Sequence, residues 1–316
     1  EKRTNMAVMY NQSQTNIYYH MSTNNKSFLE MHKFLEDSGI SNNKFMLVLL
    51  DPDLARIDPH DPNLSRQAKT KVLRECLYNP WYFFREVVRI PDSGQATGVK
   101  FELSRGNLAL IFCLMLNLNT FLEQPRQTGK TISSLCWYLY LFNFGTANAE
   151  MSFLNKKLED SKLNLQRIRE IRELLPPYLK MDQAFAPDGT RIKGKNNVET
   201  LQHPVNANRI RTVPSARNKV AAASLMRGRT TPIIYIDEYG FIPYNSIIYT
   251  NMVPAYNTAS KNAKRNGSPY GMLVTTTPGL LTTDEGQEAF TMKETATPFS
   301  ERWYDLSKDQ IFNIID

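Results

Sequence analysis

The sequence predicts an α/β fold: a central, mostly parallel sheet flanked by helices, with a small lid beside it. Three stretches carry that prediction. Glu123-Gln124-Pro125-Arg126-Gln127-Thr128-Gly129-Lys130-Thr131 lies between two apolar runs, 108–122 and 132–144, and reads as strand, phosphate-binding turn and helix. Such a turn offers backbone N–H groups and a helix N-terminus to phosphate oxygens. Ile233-Ile234-Tyr235-Ile236 runs into Asp237-Glu238, the pattern of a strand buried on both faces with two carboxylates where ligands sit in open α/β sheets. Gly271-Met272-Leu273-Val274 runs into Thr275-Thr276-Thr277-Pro278, a second buried strand ending in three hydroxyls.

Before these stretches the order is less regular. Residues 1–25 are rich in Asn, Gln, Ser and Thr and read as a polar arm. Phe28, Met31, Phe34 and Leu35 recur at helical spacing before Ser38-Gly39, a stop signal. Phe45–Leu50 reads as a short strand, and the Asp-Pro turns of 51–61 as a linker. An arm and linker over 1–65, a phosphate-binding domain over 66–283 and a lid over 284–316 are therefore expected. Val72–Arg89 reads as two helices broken at Asn79-Pro80-Trp81, with the neighbouring aromatics in the core. Ile90–Val99 contains Pro, Gly and Ser and reads as a boundary.

From Phe101 onward helices and strands alternate, as in an α/β domain. A helix over 108–118 leads to the turn and one over 132–144 leaves it. Met151–Leu154 reads as a strand. Leu154, Leu158, Leu165, Ile168, Ile171 and Leu175 share one face of a long helix ended by Pro176-Pro177, whose lysines and arginines read as a solvated face. Asp188-Gly189 and Lys193–Asn197 suggest a hairpin region. The tail carries Phe290, Phe299, Trp303, Leu306 and Phe312 at irregular spacing.

Composition narrows the function classes. The formal charge is +7, which suits a polyanionic partner. Nine Lys/Arg against two acids lie between Asp188 and Thr230. Cys76, Cys113 and Cys136 are scattered and form no disulfide framework, and the four histidines make no Cys/His cluster. Neither apolar run reaches the roughly 20 residues of a membrane span, so no membrane partner is expected. The N-terminus has no signal-peptide pattern and no initiator Met, and a trimmed or fragmentary chain is expected.

The chemistry follows from the three stretches together. Lys130 would reach the β- and γ-phosphates of ATP, and Thr131 and Asp237 would hold Mg²⁺. Glu238 would polarise the attacking water. Thr275, Thr276 and Thr277 could sense the γ-phosphate. The whole is a P-loop NTPase of the RecA-like (ASCE) branch, although Gln124 stands where the first glycine of Gly-x-x-x-x-Gly-Lys-Thr is usual.

In these motifs the chain, from about Asn79 to Trp303, resembles the large terminase subunits of tailed bacteriophages, the ATP-driven motors that package DNA. That family's loop reads Arg-Gln-x-Gly-Lys-Thr, as Arg126–Thr131 does, and lacks the same glycine. The resemblance implies a cis catalytic role for Arg126, a coupling role for Thr275–Thr277, and a lid over 284–316 packing beside the ATPase sheet with residues before 100. It implies a nucleotide site that includes Gln124 through Thr131, with Asn107 at the place of the adenine-binding glutamine. Arg227 or Arg229 could act in trans on a neighbouring subunit's site or contact DNA. The implied partners are double-stranded DNA, a procapsid portal protein, a small terminase subunit and further copies in a ring. The implied location is the host cytoplasm, at the portal. DNA phosphates would meet Arg191, Lys193, Lys195, Arg209, Arg211, Arg217 and Lys219. Large terminases usually carry a second, nuclease domain; 38 residues follow Pro278, too few for one, so an ATPase-domain fragment of a longer endonuclease is expected. Two alternatives remain: a helicase-type ATPase, for which a second RecA-like lobe is missing, and a nucleotide-gated portal scaffold, which would need no Glu238. Composition also leaves RNA or lipid open as the anionic partner.

Overall fold

The strongest apolar runs become the strands of one sheet. In the computed structural model, which describes residues 17–226, 231–279 and 281–315, these strands are β1 Thr120–Glu123, β2 Glu150–Leu154, β3 Asn196–Asn197, β4 Thr200–Gln202, β5 Arg209–Val213, β6 Ile233–Ile236 and β7 Gly271–Thr276. Their spatial order is β1-β7-β6-β2-β5-β4-β3. The five from β1 to β5 in that order are parallel, and β4 and β3 close the far edge antiparallel. Every residue of β6 and β7 is buried, as expected of strands covered on both faces. The strand bearing Thr275–Thr276 therefore stands between the strand that feeds the phosphate loop and the strand that ends at Asp237.

The helices are α1 Lys26–Asp37, α2 Arg66–Tyr78, α3 Arg105–Met115, α4 Lys130–Tyr140, α5 Leu158–Glu173, α6 Asn245–Arg265, α7 Asp284–Thr295 and α8 Lys308–Ile315. Helix α4 is buried from Ser133 to Tyr140, so its apolar surface runs nearly all round, the mark of a central helix. It loosens into a wide turn over Leu141–Gly145, whose carbonyls lose their helical partners. Two asparagines from the β4–β5 connection replace them. Asn208 Nδ2 donates to the carbonyls of Phe142 and Thr146 at 2.9 Å each, and Asn206 Nδ2 donates to that of Phe142 at 2.9 Å. His203 Nδ1 accepts from the backbone N–H groups of Val205 and Asn206 at 3.2 and 3.4 Å, and its ring meets Phe142 edge-on. The far end of α4 is thereby tied to the sheet.

Several elements differ from expectation. Residues 17–65 are packed structure: Phe28, Leu35 and Phe45–Val48 are fully buried. A 3-10 turn over Phe45–Leu47 leads into a two-residue strand, Val48–Leu49, paired with Tyr18–Tyr19. Arg85, fully buried, holds this region by donating to the carbonyls of Met46 and Val48 at 2.5 and 3.1 Å. Arm composition concealed these contacts because they join residues some forty positions apart. The expected boundary at 90–99 is a hairpin, Arg89–Asp92 with Gln95–Lys100, and α5 lies against it. The tail splits. Helix α7 packs on the turn after β6, where a Cβ at Gly240 would come within 3.3 Å of Ala289 Cβ. Residues 299–305 pack on the N-terminal region: Tyr304 meets Phe45 and Phe112 at 5.1 and 4.9 Å, and Asp305 accepts from Asn42 N at 2.7 Å.

His203 supplies a test of the α4 anchor. Burial, aided by the Arg172 guanidinium, pushes its pKa down to about 4 from 6.5. Between those values the unfolded chain binds more protons than the folded one, so stability falls as pH drops through this window. Urea unfolding between pH 7 and 4 should show a steeper loss for wild type than for His203→Asn, which keeps an acceptor but does not titrate. Parallel curves would contradict the assignment.

Candidate active site

The phosphate turn is shaped by residues that look unremarkable in sequence. Gly129 has φ +77° at the N-cap of α4, a left-handed conformation that glycine adopts without strain. Gln124 takes the place of the missing glycine by bracing the loop: its Oε1 accepts from Thr128 Oγ1 at 3.1 Å, and its backbone N–H donates to Thr276 at 3.2 Å. Its Nε2 lies where a Cβ on Gly106 of α3 would come within 2.3 Å, so the side chain folds onto that helix. The Ser133 and Ser134 hydroxyls donate back to the carbonyls of Gly129 and Lys130 at 3.0 and 2.8 Å, fastening the first turn of α4.

Strand ends bring the other groups to this turn. Lys130, 6 % exposed, places its ammonium 3.4 Å from Glu238 Oε1. Thr277 Oγ1 donates to Glu238 Oε2 at 3.0 Å. Glu238 sits at φ +58°, ψ +43°, a left-handed backbone that costs a residue with a Cβ roughly 1–2 kcal/mol. That turn aims its side chain back over the loop, whereas continued strand geometry would point adjacent residues to opposite faces. Asp237, 4 % exposed, receives Thr275 Oγ1 at 2.6 Å and Glu238 N at 3.1 Å on Oδ1, and Asn164 Nδ2 at 3.2 Å on Oδ2. Burial raises the Asp237 pKa and the neighbouring Glu238 carboxylate adds to the rise, while the Thr275 and Asn164 hydrogen bonds and Lys130 oppose it. Thr276 Oγ1 accepts from Gly240 N at 3.1 Å, so the middle threonine holds the turn rather than a carboxylate.

Arg126 through Thr131, Asp237 and Glu238 thus line one cleft of about 560 Å³, joined by Asn155, Asn164 and Arg167. Arg126 is exposed at its mouth. One carboxylate and one hydroxyl, Asp237 and Thr131, suit a hard cation that takes its remaining ligands from phosphate oxygens and water, as magnesium does. Among the described residues no group of three His, Cys, Asp or Glu could hold a metal ion by itself.

Other sequence-predicted residues fall elsewhere. Asn107 is a correction: it is the third residue of a capping box on α3, its Oδ1 accepting from Ser104 N at 2.6 Å and its Nδ2 donating to Glu102 O at 2.8 Å. It lines no part of the cleft. Gln124 faces a neighbouring cavity of about 680 Å³ with Arg105, Phe299 and Glu301. Arg209 and Arg211 are half-buried on either side of Glu150, each 3.6 Å from Oε2, because parallel pairing places all three on one face. Arg191, Lys193, Lys195, Arg217 and Lys219 are exposed. Arg227 and Arg229 lie outside the described residues. Asn164 and Arg167 escaped the sequence reading, although a buried asparagine beside Leu165 and Ile168 is the kind of polar break in an apolar face that marks a site.

No protein-family model matches the chain, and no curated protein does either. Among solved structures, the chain is similar to the large terminase of bacteriophage HK97, with 14 % identity and a TM-score of 0.46 over 70 % of this chain and 42 % of that one. It is similar to the large terminase ATPase domain of Thermus phage P74-26, at 15 % identity and a TM-score of 0.39 over 57 % and 67 % of the two chains. The UvsW helicase of bacteriophage T4 is similar at 9 % identity and a TM-score of 0.40, over 83 % and 73 %. The chain spans less than half the length of the HK97 protein.

Proposed function

We propose that this chain is the ATP-hydrolysing motor domain of a viral DNA-packaging machine, one that drives double-stranded DNA into a procapsid. The observation that carries the ATPase reading is the meeting of Lys130 with Glu238, beside Asp237, at the N-terminus of α4. A phosphate-binding lysine, a carboxylate for the cation and a carboxylate for water are brought to one place by two strand ends, those of β1 and β6.

The geometry suggests how the residues work. Lys130 is paired with Glu238, and an incoming γ-phosphate is a stronger anionic partner for the ammonium. Transfer of Lys130 to phosphate frees one oxygen of Glu238, while Thr277 keeps the other oriented. Glu238 can then accept a hydrogen bond from water and align it in line with the leaving group. Thr131 and Asp237 would hold Mg²⁺, which when bound neutralises charge on the β- and γ-phosphate oxygens. Arg126, exposed at the cleft mouth, can swing in to meet charge developing on the γ-phosphate. Thr275 and Thr277 touch both carboxylates from β7, so a change at either is passed to the strand leading toward α7. Arg227 or Arg229 is proposed to complete the site of a neighbour in a ring.

DNA is proposed to lie against the exposed cations Arg191, Lys193, Lys195, Arg217 and Lys219, contacting phosphates without reading sequence. Docking on a portal and a small subunit at the procapsid, and a nuclease activity in a longer parent chain, complete the proposal.

Three outcomes test it. Glu238→Gln should lower phosphate release at least about a hundredfold while triphosphate binding persists; equal rates in the two proteins would point to a scaffold. Arg126→Ala should cost roughly a thousandfold in turnover with ADP affinity unchanged, and preserved turnover would remove Arg126 from the mechanism. Duplex DNA affinity should fall steeply with salt, with a log–log slope of roughly −4.5 for five phosphate contacts. Replacing Arg191, Lys193 and Lys195 by glutamine should flatten that slope by about three, and an unchanged slope would place DNA on another face.

A further inference from the structure

Helix α5 forms the wall of the cleft opposite the phosphate turn. Asp160, Leu163, Asn164 and Arg167 line it, spaced as i, i+3, i+4 and i+7 so that one helical face looks onto the loop. Asn164 is 4 % exposed and uses both ends of its amide: Nδ2 donates to Asp237 Oδ2 at 3.2 Å, and Oδ1 accepts from Arg167 Nη1 at 3.2 Å. Arg167 makes no ion pair among the described residues. A solvated arginine needs no buried amide to hold it. This one has a single N–H engaged, and its remaining donors border a cleft whose opposite wall is an anion-binding helix N-terminus.

We propose that Arg167 binds the terminal phosphate of the nucleoside triphosphate from α5, and that Asn164 is a positioning residue that ties this guanidinium to Asp237. The proposal rests on the nucleotide reading of the cleft and adds to it a device for telling triphosphate from diphosphate. Lys130 on α4 serves both nucleotides through the β-phosphate. Arg167, across the cleft and held only by Asn164 among the described residues, gains an anionic partner when the γ-phosphate is present. Because Asn164 shares one amide between Arg167 and Asp237, occupancy of the phosphate position and orientation of the carboxylate become linked.

The test is equilibrium binding of ADP and of a non-hydrolysable ATP analogue, each with magnesium, to wild type, Arg167→Ala, Arg167→Lys, Asn164→Ala and Lys130→Ala. Arg167→Ala should weaken the triphosphate roughly tenfold, the weight of one charge-assisted hydrogen bond, and leave ADP unchanged. Arg167→Lys should recover part of the loss. Asn164→Ala should reduce triphosphate preference less and raise the magnesium concentration needed for half-maximal triphosphate binding. Arg167 is only half-buried, so its variants test the proposal even where Asn164→Ala fails to fold. A triphosphate-to-diphosphate preference in Arg167→Ala within twofold of wild type, or an equal loss for both nucleotides, overturns the proposal while leaving the nucleotide site standing. Wild type binding neither nucleotide, with Lys130→Ala identical to it, overturns the nucleotide reading itself.

Discussion

A buried carboxylate must be met by hydrogen bonds or it neutralises or unfolds its surroundings. Asp237 is that carboxylate here, and much of the architecture answers its demand. Thr275 comes from β7, Asn164 from α5, and the Glu238 N–H from the turn that follows β6. Three elements that are far apart in the chain are thus drawn to one side chain. The same contacts set the order β7-β6-β2 to functional use, since the strand carrying Thr275 must stand beside the strand carrying Asp237.

The turn at Glu238 is the second half of this arrangement. Two adjacent carboxylates on a regular strand would face opposite ways. The left-handed backbone at Glu238 brings the second carboxylate round to Lys130, and Gly240 lets α7 press on that turn from behind. Strain at a residue that must face the chemistry is held by packing elsewhere, here by Thr276 against Gly240 and by Ala289. Helix α4 is likewise fixed at both ends: the phosphate turn at one, and the Asn206 and Asn208 amides at the other. Neither end could shift without disturbing the sheet.

The central strands were legible because parallel strands covered on both faces need continuous apolar runs, and Ile233–Ile236 and Gly271–Val274 are such runs. The turn after β1 was legible because a glycine between two apolar runs, here at φ +77° on the N-cap of α4, marks such a turn. Within residues 17–65 the helix carrying Phe28, Met31 and Leu35 was legible from its spacing, but the packing of the rest was not, since it depends on Arg85, Glu75 and Tyr304 reaching across the chain. Asn107 misled because a short amide near a helix start serves a capping box as readily as a ligand. For Arg209 and Arg211, a run of cations in sequence does not reveal that pairing with β2 brings the Glu150 carboxylate within 3.6 Å of both.

By itself, then, the sequence determined the α/β class and the strand–turn–helix passage through Gly129, because local pattern and residue chemistry suffice for these. Tertiary structure decided which hydroxyl meets which carboxylate, how Gln124 braces the loop, and that Asn164 and Arg167 of α5 border the cleft. Those are matters of distance between remote segments, and the folded sheet alone sets such distances.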